Sequence, residues 1–350
     1  MSDVASPEDL GKKIADLVLE CGFRHFGMAA LQRPRTLMFY KMWLERKFHG
    51  DMTYLERHLN FKENPKKLAP RAESAIVITQ PYLPHPEPSA HPRLAVAPIA
   101  LYARGRDYHQ WLQQRLERLC CLLRESFPGA EFLPMTDAQP VLERELAQRA
   151  GLGWIGKNTC LISRQEGSLT FIGEIYTSLQ LPPSQNPATD HCGKCRRCLD
   201  ACPTGALSAP YWLDSRKCIS YWTIESRAIP ASELRKATGT YFFGCDLCQT
   251  VCPWNQKVYG AELTPSAGQE PISSTLSQEM AWILEASNSQ LKKEFVASPL
   301  WRAGAFGLRR NAMFVVAHYQ LRDVSPLLRK YQDHPRLAEL ATWVLAELGG

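Results

Sequence analysis

The sequence predicts a mixed α/β (α+β) domain, then a cysteine-rich module, then a short helical tail. Three observations predict that order. Helical and extended apolar periods alternate over residues 1–185, eight of the 12 cysteines fall between positions 192 and 252, and from Leu276 the apolar spacing is helical. A chain of 350 residues suffices for two or three domains, and 45% hydrophobic against 22% charged residues is the balance of packed cores. Gly (21) and Pro (25) stand at ordinary levels, which excludes collagen-like and disordered chains.

The elements follow in order. Ser6-Pro7-Glu8-Asp9 opens a helix as a capping box with Pro at the first helical position, and Leu10, Ile14, Leu17 and Val18 share its apolar face. Short apolar runs at 23–29, 74–80 and 169–179 predict strands. Residues 107–127 predict a long helix with Trp111, Leu116, Leu119, Cys120 and Leu123 at helical spacing. A second helix is expected over 140–150, stopped by Gly151. The proline-rich stretch 82–98 predicts a surface loop. The cysteine module occupies 186–256 and a polar linker 257–275. Residues 276–350 carry RRNAMFVVAHYQL, DVSPLLRKYQ and HPRLAELATWVLAEL, three helical segments in the style of a HEAT-like repeat. One such repeat cannot bury its own face, so it must pack on the rest of the chain or on a partner.

Lys and Arg (41) exceed Asp and Glu (35) for a net charge of +6, which permits an anionic partner such as nucleic acid without demanding one. The longest apolar runs, 75–79 and 95–102, are far too short for a membrane span. No basic stretch followed by an apolar one opens the sequence, and no twin-Arg pair stands there, so a cytoplasmic protein is expected. Thiols stay reduced in that compartment, which argues against disulfides.

The cysteine spacing then carries chemistry. Cys192-x2-Cys195-x2-Cys198-x3-Cys202-Pro203 is the pattern of a ferredoxin-type [4Fe–4S] site. Cys245-x2-Cys248-x3-Cys252-Pro253 repeats it, with its first cysteine displaced upstream to Cys218. In such paired runs the fourth cysteine reaches the other cluster. The expected ligands are Cys192, Cys195, Cys198 and Cys252 for one cluster, and Cys202, Cys218, Cys245 and Cys248 for the other. That crossing brings the two close together, as single-electron transfer requires. Structural zinc uses well-separated CxxC pairs, which this spacing does not match. Cys21, Cys120 and Cys121 are expected as core thiols, and Cys160 as a packing residue.

Two clusters make a relay, and a relay needs a terminus. No G-x-G-x-x-G follows a strand, and neither a Walker A nor an H-E-x-x-H motif is present. The D-x-H-x-x-G signature of one class of cobalamin domain is also missing, since Asp107-Tyr108-His109 lacks the glycine.

The run from Asp137 to Asn158, DAQPVLERELAQRAGLGWIGKN, resembles the epoxyqueuosine reductase family, as do RGRDYH (104–109), FIGEIYTSL (171–179), CISYWTIE (218–225), FGCDLCQTVCPWN (243–255) and LRRNAMFVVAHY (308–319). The resemblance covers nearly the whole chain. It implies reduction of epoxyqueuosine to queuosine at the wobble position of tRNA anticodons, the last step of queuosine biosynthesis, with the epoxide oxygen leaving as water. It implies cobalamin and two [4Fe–4S] clusters as cofactors, an external low-potential electron donor, and a nitroreductase-like domain with the corrin in place of flavin. The tail is short for the family. A monomer is expected.

The resemblance also assigns roles. Asp137 matches the proton donor and faces the corrin; its alternative is a helix N-cap ahead of Pro140. An epoxide oxygen leaves poorly as an alkoxide, so the reaction demands such an acid, kept protonated by an apolar or anionic surrounding. Lys62 matches a cobalamin contact, against a solvated lysine, and Ala100, Leu161, Ile172 and Ile224 lie where family members line the corrin, against ordinary core positions. The turn Gly156-Lys157-Asn158 either approaches a ligand or merely joins helix to strand. For tRNA, the phosphate candidates are Lys194, Arg196, Arg197, Arg216, Lys217, Arg227, Arg309, Arg310 and Arg322, and Tyr221, Trp222 and Trp254 are candidates for base stacking. Two rivals stand beside this reading. A corrinoid reductive dehalogenase usually carries a twin-Arg signal and lacks such a tail, and a non-catalytic two-cluster electron carrier needs no 180-residue α/β domain.

Overall fold

Up to residue 183, six strands follow in chain order among the described residues: β1 (His25–Ala30), β2 (Ser74–Pro81), β3 (Phe132–Met135), β4 (Trp154–Ile155), β5 (Leu161–Ile162) and β6 (Thr170–Thr177). They come from a computed structural model that describes residues 7–83, 91–183, 187–260, 263 and 273–349. The main sheet has the order β1-β2-β6-β3, and every neighbouring pair is antiparallel. The domain is therefore α+β rather than a parallel α/β sheet. β4 and β5 form a separate small hairpin.

Both sheet faces are covered, which is why β2 and β6 read as apolar runs without clean alternation. Ile76, Ile78 and Ile175 face helices α1 (Pro7–Glu20) and α2 (Tyr108–Ser126), which contribute Ile14, Val18, Leu112, Leu116, Leu119 and Leu123. Ala75, Val77 and Tyr176 pack on the opposite side with Leu146 and Ala147 of α3 (Glu143–Arg149). Gly27 of β1 permits that approach, because a Cβ there would lie 2.1 Å from the Ala150 carbonyl oxygen.

Several expectations need correction. The capping residue Ser6 lies outside the described residues, although α1 does begin at Pro7. Helix α3 starts at Glu143, not at 140. The Lys62 ammonium takes the Val141 carbonyl at 2.8 Å, an acceptor that a helix begun at Pro140 would use internally. Asp137 is thus no helix cap. Of the three core thiols expected, Cys120 is fully buried and Cys21 half-buried, but Cys121 is exposed. Adjacent helical residues diverge by about 100°, so both cannot face one core.

The proline-rich stretch is not a plain surface loop. Residues 84–90 lie outside the described residues, but Tyr82, Leu83, His91, Leu94 and Ala97 are buried. Glu279 accounts for part of this, accepting the Val96 and Ala97 N–H groups at 3.0 and 2.8 Å. In the expected linker, residues 261–262 and 264–272 are outside the described set, while Tyr259 and Leu263 pack against Tyr82, Leu101 and Leu169. The boundary near 185 is likewise not described.

The C-terminal part contains α4 (Ile219–Ile224) on the cysteine side, then α5 (Ser273–Glu285), α6 (Asn288–Phe295), α7 (Gly304–His318), α8 (Ser325–Arg329) and α9 (Ala338–Glu347). Helix α7 is buried nearly all round, with Ala312 to Val316 at 0% exposure, as befits a helix at the centre of a core. Its core also takes in Leu94, Ala97, Ile99, Phe242 and Phe243, so the tail packs on the rest of the chain. Among the described residues no helix is long and apolar enough to cross a membrane.

Arg310 on α7 is fully buried and donates to the carbonyls of Trp222, Ser226 (2.7 Å) and Ala228 (2.8 Å). Those carbonyls at the end of α4 would otherwise lack donors. Arg310 is therefore removed from the phosphate-binding set. Arg310→Met leaves three carbonyls short at roughly 1–3 kcal/mol each, offset by relief of a buried charge. The expected net loss of stability is about 3 kcal/mol, read from urea unfolding.

Candidate functional site

Asp137 follows β3 and stands over the start of α2. Its Oδ2 accepts the Tyr108 hydroxyl, and its Oδ1 lies 3.1 Å from His109 Nε2. His109 Nδ1 lies 2.7 Å from Asp107 Oδ1, and Asp107 also caps α2 by accepting the His109 N–H at 3.1 Å. With a carboxylate on each ring nitrogen, His109 is an imidazolium; the Asp107 bond, then that of Asp137, pushes its pKa up to about 10. Tyr108 stacks on Phe171 at 4.1 Å between ring centroids and meets Tyr102 edge-on at 6.2 Å. Asp137 is thus 40% exposed at its side chain and bonded to the hydroxyl of a Tyr108 ring packed between Phe171 and Tyr102.

Sequence reading gave Asp107, Tyr108 and His109 no individual role. The signal was an acid two positions before a histidine at a helix start, within the quoted RGRDYH. The His109 arrangement has a pH consequence. A raised pKa stabilises the fold fully below the ordinary value of 6.5, and that contribution is lost as pH rises through about 10. An NMR titration is expected to find the His109 ring still protonated near pH 8.

Behind Asp137 lies a second group of charges. Lys62 is buried, over the Tyr40 ring at 5.5 Å, and burial pulls its pKa down to about 8. It is no solvated lysine. Glu174 on β6 is fully buried, and neither of its carboxyl oxygens has a partner. Burial first, then Glu143 and Asp137, hold its carboxyl well above the usual range. Glu143 is pushed up by burial and by Asp137. The expected anionic surrounding of Asp137 is present, but so is the His109 cation opposite.

The other residues expected at the corrin divide into two places. Leu161 and Ile172 join one apolar cluster with Val77, Met135 and Tyr176. Ala100 is fully buried, its N–H on the Phe243 carbonyl at 2.8 Å. It abuts the cysteine module so tightly that a Cβ on Gly244 would come within 2.5 Å of its own. Ile224 ends α4 and packs on the C-terminal core.

Cys192, Cys195, Cys198 and Cys252 line one cavity of about 280 Å³, together with Lys157, Asn158, His191, Arg197 and Trp254. Cys245 and Cys248 each feel the charge of Cys218, and Cys202 acts on both Cys218 and Cys245, which places this second set together. Cys160, expected only as packing, is held by Asn158, which accepts its N–H on Oδ1 at 3.2 Å and its thiol on the backbone carbonyl at 3.9 Å.

Among the cations, Lys194, Arg196, Arg197, Arg216, Lys217, Arg227 and Arg322 are exposed, and Arg309 is half-buried on Asn288 and the Ala286 carbonyl. Arg216 is paired with Asp214 at 2.8 Å and Arg196 with Asp200 at 3.5 Å. Tyr221 is buried and its hydroxyl accepts the Asp51 N–H at 2.8 Å, so it offers no ring for stacking. Trp222 is half-buried with its indole N–H on the Arg216 carbonyl, and Trp254 is half-buried against Trp154 at 5.1 Å.

Comparison with known proteins gives matches over both the cysteine module and the domain before it. Residues 191–255 match a family described as a 4Fe-4S double cluster binding domain, and residues 62–138 match Epoxyqueuosine reductase QueG, DUF1730. The chain is 33% identical over 353 residues to the epoxyqueuosine reductase of Escherichia coli strain K12, covering 99% of this chain and 92% of that protein. It is 37% identical over 318 residues to that of Pseudomonas aeruginosa PAO1, covering 89% and 87%. A crystal structure of epoxyqueuosine reductase with a tRNA-TYR epoxyqueuosine-modified stem loop superposes with a TM-score of 0.81 at 27% identity, over 99% of this chain and 92% of that one. The Streptococcus thermophilus enzyme gives 0.82 at 28% identity, over 96% and 90%. Matched along nearly its whole length by such relatives, the chain belongs to the epoxyqueuosine reductase family.

Proposed function

We propose that this chain is a monomeric cytoplasmic oxidoreductase that reduces epoxyqueuosine to queuosine at the wobble position of tRNA, with cobalamin and two [4Fe–4S] clusters as cofactors. The carrying observation is Asp137, exposed and bonded to Tyr108 and His109, in a chain whose relatives are epoxyqueuosine reductases over nearly their full length.

Converting the epoxide to an alkene and water consumes two electrons and two protons. The clusters supply single electrons, one held by Cys192, Cys195, Cys198 and Cys252 and the other by Cys202, Cys218, Cys245 and Cys248. The donor set fits: four thiols line one cavity of about 280 Å³ with no carboxylate among them. Cobalamin, when bound, supplies a strongly reducing cobalt; Lys62, Ala100, Asp137, Leu161, Ile172 and Ile224 would hold it. The unpartnered carboxyl of Glu174, between Ile172 and Tyr176 on the same sheet face, supports a polar group in that region.

Asp137 takes a proton on Oδ1 from the His109 imidazolium, whose Nε2 lies 3.1 Å away, and places it on the epoxide oxygen as the C–O bond breaks. His109, its ring 41% exposed, recovers a proton from solvent for the second transfer. Tyr108 fixes the other carboxyl oxygen, so the acid holds one orientation.

Binding to the anticodon stem-loop tests the reading. The logarithm of affinity is expected to fall linearly with the logarithm of salt, in proportion to the phosphates neutralised. Lys194→Glu or Lys217→Glu should weaken binding and reduce that slope by about one each. Deleting the tail from Leu276 is no clean test, because it would strip the cover from Leu94, Ile99 and Phe243. Salt-independent affinity, or equal turnover of the free nucleoside, would count against a dedicated RNA site.

A further inference from the structure

The turn Gly156-Lys157-Asn158 between β4 and β5 takes no part in the proton transfers above. Its two polar side chains grip different cysteine loops. Lys157 Nζ donates to the carbonyls of Gly193 at 2.5 Å and Cys195 at 2.8 Å, both in the loop that carries Cys192 and Cys195. Asn158 is buried; its Nδ2 donates to the Cys248 carbonyl at 3.2 Å and its Oδ1 accepts the Cys160 N–H at 3.2 Å. Lys157 and Asn158 also both line the cavity of the Cys192, Cys195, Cys198 and Cys252 set.

Further bonds fix the lysine from outside. The Lys157 carbonyl accepts the Tyr211 N–H at 3.0 Å, the Tyr211 hydroxyl donates to Asp190, and Asp190 accepts the Cys192 N–H at 2.7 Å. The turn has no slack, because Gly156 N–H donates to the Cys160 carbonyl at 2.8 Å and a Cβ on Gly156 would lie 2.3 Å from Ile162. The cavity lining includes the cations Lys157 and Arg197 and no acidic side chain. Cluster potentials respond to nearby charge and hydrogen bonding, and a fixed cation favours the reduced, more negative state.

We propose that Lys157 is a positioning residue for the Cys192, Cys195, Cys198 and Cys252 cluster: it holds that ligand loop by two carbonyls and raises the cluster's potential with its ammonium, while Asn158 registers the same turn on the Cys248 loop. The inference rests on the two-cluster reading, whose own failure shows separately as absence of iron from the unaltered chain.

The test compares Lys157→Gln and Lys157→Arg in the reconstituted full chain, by iron content and by a redox titration followed by electron paramagnetic resonance. In Lys157→Gln the potential of the Cys192-side cluster is expected to fall while that of the other cluster stays, and Lys157→Arg is expected to retain the unaltered value. Loss of only the Cys192-side cluster in Lys157→Gln, with retention in Lys157→Arg, supports the same role through the loop contacts. An unchanged potential with full iron in Lys157→Gln overturns the proposal. So does equal damage to both clusters, or an arginine variant that behaves like glutamine.

Discussion

Asp137→Asn is expected to lower turnover roughly 10²–10⁴-fold, the usual worth of a positioned general acid. The asparagine keeps the size of the side chain and can still accept the Tyr108 hydroxyl, but it carries no transferable proton. The variant should fold normally, because the side chain is 40% exposed and caps no helix. Iron content and cobalamin affinity are expected to survive. A helix-cap role would have left asparagine almost silent, and the start of α3 at Glu143 removes that role. Single-turnover product formation, measured beside a thermal melt and an iron assay on one preparation, separates lost chemistry from lost fold. Normal turnover would take Asp137 out of the mechanism.

Cys252→Ser is expected to halve the iron, from ~8 to ~4 per chain, by removing one four-iron cubane. The cluster lost should be the one whose other ligands are Cys192, Cys195 and Cys198, although these lie at least 54 positions upstream in the sequence. The cavity explains the choice, since it is lined by those three cysteines and Cys252, with Cys245 and Cys248 outside it. Spectroscopy should find the Cys245 and Cys248 site intact. If that site disappears instead, the crossed ligand assignment is wrong.

The sequence was most legible where one strong local signal met no competitor. The three long strands of the sheet and helix α2 lie close to where apolar runs and helical apolar spacing predicted them, because both sheet faces are covered and the apolar signal is continuous. The cysteine spacing by itself pointed to a double-cluster module, which the family match over residues 191–255 bears out. Tertiary competition hid the rest. The start of α3 depends on Lys62, about 80 residues away, taking the Val141 carbonyl. The proline-rich stretch is buried because Glu279 of α5 reaches its backbone. Arg310 looked like a surface cation in an RRN run, yet the carbonyls of the α4 end draw it inside. Glu174 interrupts an apolar strand, and nothing local marks it as an unpartnered buried acid. Asp107, Tyr108 and His109 gain meaning only when β3 delivers Asp137 above them.

The most direct test is the reaction itself. The reconstituted chain is incubated without oxygen, with cobalamin, a low-potential one-electron reductant and an anticodon stem-loop carrying epoxyqueuosine. The RNA is then digested and its nucleosides identified by mass spectrometry. The prediction is a modified nucleoside lighter by one oxygen atom, formed only when both the chain and cobalamin are present and strongly diminished with Asp137→Asn. An unchanged stem-loop in the complete mixture, or conversion at full rate without cobalamin, would contradict it.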